Sequence, residues 1–69
     1  SRVMKVYTMV YFNVKTEFGV ETVDEINGEL FATRKEYLAE LKAMKENYRM
    51  IYGSSIYTSQ RSTREWRKR

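Results

Sequence analysis

A chain of 69 residues, 42% hydrophobic and 32% charged with a net charge of +4, is material for one small domain. A chain this short buries only about 60% of its unfolded surface, so its core is thin. It contains no Cys and no His, which excludes disulfides, thiolate chemistry, Cys/His zinc sites and histidine general-base catalysis.

No apolar stretch approaches the ~20 residues that span a bilayer, and the first residues lack the apolar run of a signal peptide, so a cytoplasmic protein is expected. The charge is unevenly spread. Between residues 17 and 29 stand Glu17, Glu21, Asp24, Glu25 and Glu29 with no cation. At the other extreme, residues 53–69 hold Arg61, Arg64, Arg67, Lys68 and Arg69 against Glu65 alone. Such asymmetry suits an oriented electrostatic partner or attraction between two copies, and is equally met on an ordinary solubilising surface.

Residues 3–14 alternate as a long strand. Met4, Val6, Thr8, Val10, Phe12 and Val14 share one face; Val3, Lys5, Tyr7, Met9, Tyr11 and Asn13 share the other. A turn through residues 15–19 follows, with Gly19 free to take positive φ. Residues 20–26 then return as a second, antiparallel strand. Thr22 and Glu25 also match a capping box, so one helical turn competes there. Asn27-Gly28 signals a type I′ turn, after which residues 29–32 are expected as a third short strand.

The helix is the best-defined element. Thr33 and Glu36 form a capping box, and Tyr37, Leu41, Met44, Tyr48 and Ile51 follow as one apolar stripe at helical period. Gly53 stands where a left-handed residue ends such a helix. Residues 55–60 alternate as a last strand, and Ser62 with Glu65 is a second capping-box match that starts a short basic helix. The expected fold is thus α+β: an antiparallel β-hairpin sheet with one amphipathic helix on one face and a C-terminal strand, in the order β-β-(β)-α-β. It comprises a single domain over residues 1–60 and a basic tail or short helix over 61–69.

One helix covers only one face of a sheet, and neither face of the first strand is polar. The uncovered group Lys5, Tyr7, Met9 and Tyr11 therefore has three readings. It stacks bases of a single-stranded nucleic acid; it is buried against a second copy or another protein; or the C-terminal segment folds over it with Trp66 as the plug. The tail mixes arginine with hydroxyls and one indole, the donors that hold phosphate and a ring that stacks on bases. A frayed, solvated terminus is its plain alternative. Lys35, Lys42, Lys45 and Arg49 are read as the helix face opposite the apolar stripe, where a phosphate backbone or simply water is satisfied.

Chemistry-bearing constellations are absent. The carboxylates Glu21, Asp24, Glu25 and Glu29 fit no EF-hand spacing and read as surface charge. The three glycines each serve a turn or a cap, leaving no phosphate loop. No metal, no cofactor, no small-molecule substrate, no membrane association and no enzymatic activity are expected. The leading expectation is a small non-catalytic nucleic-acid-binding accessory or regulatory protein. In it Arg61, Arg64, Arg67, Lys68 and Arg69 hold phosphates, while Trp66, Tyr57, Tyr7 or Tyr11 stack. The alternative is a protein-binding module, such as an inhibitor, adaptor or virus-encoded assembly subunit. It is expected as a homodimer that uses Lys5, Tyr7, Met9 and Tyr11 as its interface.

Overall fold

The computed structural model describes the backbone of residues 2–68 and the side chains of residues 8–61. Three strands and one helix run in the order β1 (Arg2–Thr16), β2 (Gly19–Asn27), α1 (Arg34–Tyr52) and β3 (Ile56–Lys68). The sheet order is β2-β1-β3, with both pairings antiparallel. The α+β fold expected from the residue pattern is the one observed.

Hairpin geometry at the β1–β2 turn follows from its residues. Gly19 sits at φ +124°, a value that L side chains rarely adopt, and the Thr16 hydroxyl both donates to the Gly19 carbonyl and accepts from the Phe18 amide. Along β2 the apolar residues Val20, Val23 and Ile26 recur every third position, which a period of two cannot accommodate. A bulge resolves the conflict. Phe12 pairs with Asp24 but Asn13 pairs with Thr22, so Val23 is the extra residue, and it packs on the core. The chain is extended here, with no helical turn at Thr22.

The core is small, as the length requires. Val10, Phe12 and Val14 of β1, Ile26 of β2 and Tyr37 of α1 are its buried apolar residues among those described. Leu41, Met44 and Tyr48 of the helical stripe pack against it, joined by Val23, Phe31 and Ile56. Phe12 is wholly inaccessible and lies 5.2 Å from the Tyr48 ring. Ile51, at the end of the stripe, is largely exposed.

The third short strand does not form. Asn27 and Gly28 do turn the chain, but into a single 3₁₀ turn, Gly28–Leu30, in which the Asn27 side chain accepts from the Glu29 amide. A hairpin here would carry Phe31 back along the outer edge of β2. Instead Phe31 meets the Tyr37 ring edge-on at 5.7 Å, so burial of two aromatics outweighs a local turn preference. Gly28 is packed so closely that a Cβ would lie 3.3 Å from both the Thr8 carbonyl oxygen and the Tyr37 ring.

Both ends of α1 are as the residues dictate. The Thr33 hydroxyl accepts from the Glu36 amide at 3.1 Å, and Gly53 at φ +63° ends the helix with its amide bonded to the Arg49 carbonyl. Beyond it, β3 starts at Ile56 and runs to Lys68, well past residue 60. The backbone from 62 to 68 is therefore strand and not a short helix. The open edge of β1 supplies ladder hydrogen bonds along its whole length, and these outweigh a capping signal that at best begins a helix too short to persist alone. Its backbone also lies beside β1 in the plane of the sheet, so it does not fold across the face as a plug.

Candidate nucleic-acid interface

The helix lies over Val10 and Phe12, leaving the opposite face of the sheet uncovered. Along that face the register sets Met9 between Asn27 and Arg61, Tyr11 between Glu25 and Ser59, and Asn13 between Thr22 and Tyr57. Met9 and Tyr11 are half-buried; Tyr57 and Arg61 are exposed. Asn13 is buried and ties three strands together, donating to the Ser59 hydroxyl at 3.0 Å and accepting from the Thr22 hydroxyl at 2.7 Å. This polar tie fixes the register of β1 against both neighbours and leaves none of its own groups orphaned. At the turn end of the face, the Lys15 ammonium stands 5.5 Å from the centre of the Tyr57 ring.

Charge is sorted by strand order. The carboxylates of Glu21, Asp24 and Glu25 belong to β2 at one edge of the sheet, whereas Arg61, Arg64, Arg67 and Lys68 belong to β3 at the other. The helix adds to the basic side. Lys42, Lys45 and Arg49 each directly follow a residue of the apolar stripe (Leu41, Met44, Tyr48), so at ~100° per residue all three fall on one flank of it. Lys45 and Arg49, with the carboxylate Glu46 between them, border an open cavity of about 310 Å³ together with Phe12, Ile56, Tyr57 and Thr58, which identifies that flank as the β3 side. A cation after three of the five stripe residues is the sequence signal for this flank, so Lys42, Lys45 and Arg49 border the stripe and do not stand on the face opposite it.

Of the residues singled out from the sequence, the sheet brings together Met9, Tyr11, Tyr57 and Arg61 on adjacent strands. The side chains of Lys5, Tyr7, Arg64, Trp66, Arg67 and Lys68, and all of Arg69, lie outside the described residues. By backbone register, however, Lys5 stands opposite Glu65, Tyr7 opposite Thr63, Arg64 opposite Val6, Trp66 opposite Met4, Arg67 opposite Val3, and Lys68 opposite Arg2. Lys15 and Asn13 are features of the face that the sequence pattern did not single out.

No helix of the described residues is long and apolar enough to cross a membrane. Comparisons with protein-family models, with curated proteins and with solved structures return no match.

Proposed function

We propose that this is a small, non-catalytic nucleic-acid-binding protein with an accessory or regulatory role in the cytoplasm. The observation that carries this reading is the placement of the C-terminal cations. They stand on a strand that pairs with β1 along its length and lies at the sheet edge opposite the carboxylates of β2. A polyanion lying along the β3 edge meets Arg61 on the open face and Lys45 and Arg49 on the helix side of the first residues of the strand, while the acidic strand lies across β1. Tyr57 and Tyr11 stand on neighbouring strands of the open face, as Arg61 does.

Anisotropy titration of a labelled oligonucleotide, in single- and double-stranded form and over a range of salt, tests the reading. Binding that weakens as salt rises is expected. Replacing Arg61, Lys45 and Arg49 by Ala is expected to flatten the dependence of log K on log salt by about 0.9 for each phosphate no longer neutralised. Absence of binding to either form at about 50 mM salt overturns it.

A second reading, association with a protein or with another copy through the open sheet face, is favoured by one observation. Met9 and Tyr11 lie on a face over which this chain places no element among the described residues. A monomeric mass at high concentration, unchanged on replacing Tyr11 by Ser, disposes of the homodimer.

A further inference from the structure

The pairing of β1 is uneven along its length. It meets β2 only from Met9 onward, opposite Asn27, but meets β3 from Arg2 onward, opposite Lys68. The helix does not extend the covered part. Its first turn sits at Gly28 and Thr8, where Tyr37 packs; Tyr48 lies on Phe12; and the chain leaves α1 toward Ile56, which pairs with Val14. Residues 2–7 and 63–68 thus form a two-stranded antiparallel ribbon beyond both β2 and α1. Six residues at about 3.3 Å each give it a length of roughly 20 Å. The long axis of the molecule, 50 Å against 26 and 12 Å, reflects this projection.

We propose that this ribbon enters the major groove of double-stranded DNA, an inference that rests on the nucleic-acid reading above and names its substrate class. Three observations carry it. Two strands lie ~4.8 Å apart, and the major groove of B-DNA, about 12 Å wide, admits a two-stranded ribbon; its minor groove, about 6 Å wide, does not without widening. The deep, narrow major groove of an RNA duplex excludes it as well.

The second observation is charge. The ribbon brings Arg2, Lys5, Arg64, Arg67 and Lys68 together against Glu65 alone, and its far end pairs Arg2 directly with Lys68, beside Arg67. Such a concentration of cations on two paired strands suits the phosphates on both walls of a groove.

Third, the three-stranded body offers a poor platform for single strands. Its central row is interrupted by the buried Asn13 tie, and the Tyr57 ring is already approached by Lys15.

The test is an anisotropy titration of the full chain against a ~20-base-pair DNA duplex, its separated strands, and the RNA duplex of the same sequence, between about 50 and 200 mM salt. The DNA duplex is expected to bind at least ~10-fold more tightly than the other two. Two further measurements accompany it. Methylation of guanine N7, a major-groove atom, is expected to interfere with binding by the unaltered protein. The triple variant Arg64→Ala/Arg67→Ala/Lys68→Ala is expected to lose between about two and three units of salt slope. Tighter binding to the single strands, equal binding to the RNA duplex, or indifference to N7 methylation overturns the ribbon and leaves the nucleic-acid reading standing. An unchanged slope in a folded triple variant has the same consequence. No binding to any of the three overturns both.

Discussion

Asp24 stands directly after the bulge residue on β2, and its carboxylate accepts the Tyr48 hydroxyl of α1. That hydrogen bond holds the phenol above the ordinary tyrosine value of 10.0, with burial and the charges of Asp24 and Tyr52 acting in the same direction. The raised group is favoured in its neutral form. Its contribution to stability is therefore complete below 10.0 and is lost as pH rises through the higher value of the folded state. Ultraviolet titration of the phenols is expected to show one late-ionising tyrosine, absent from Tyr48→Phe. The stability difference between the two proteins should shrink as pH climbs past 10.0. An unchanged titration curve in the variant means that the bond does not persist in solution. The bond also depends on the bulge, because the extra residue Val23 is what lets β2 present Asp24 to the helix and Thr22 to Asn13.

Among the elements, α1 shows most directly how short-range chemistry sets boundaries. Thr33 closes one end and Gly53 the other. Thr33→Ala is expected to cost about 1 kcal/mol, which in a domain of this size lowers the melting temperature by roughly 4–8 °C. At Gly53 a Cβ would meet nothing within 4 Å, so the penalty of Gly53→Ala comes from the positive φ alone, on the order of 1–3 kcal/mol. Thermal unfolding followed by circular dichroism reads both. A Gly53→Ala protein as stable as the parent would mean that the helix ends differently. The strands obey a different logic. β1 is favoured by its own β-branched and aromatic residues, but β3 beyond residue 60 is held by what it pairs with, since its Arg and Ser residues have no strong preference of their own.

At the scale of the molecule, strand order turns a linear charge asymmetry into a spatial one. Because β1 lies between β2 and β3, acidic and basic strands occupy opposite edges instead of neutralising each other as neighbours. The thin core makes stability sensitive to anything that binds the folded state. A DNA duplex present at about 100 times its dissociation constant is expected to add roughly 2.7 kcal/mol, raising the melting temperature by about 10–20 °C, and the gain should disappear as salt is raised. A melting temperature indifferent to duplex at low salt contradicts the proposed function.

Most of the local structure was legible in the residues. The long alternating strand, the turn at Gly19, the capped helix and its apolar stripe each depend on neighbours within a few positions. Dihedral preferences, caps and periodicity act at that range. The third strand failed because Phe31 found Tyr37, and the C-terminal helix failed because residues 62–68 found β1; in both cases a partner outside the local segment outweighed a local preference. The same holds for the candidate site. That Arg61, Tyr57 and the tail cations matter as a group was visible in composition. Their standing on one strand, at the edge opposite Glu21 and Glu25, with Tyr57 beside Lys45 and Arg49, follows from the order β2-β1-β3. Ladder hydrogen bonds between residues up to 66 positions apart, from Arg2 to Lys68, impose that order, and no local preference encodes them.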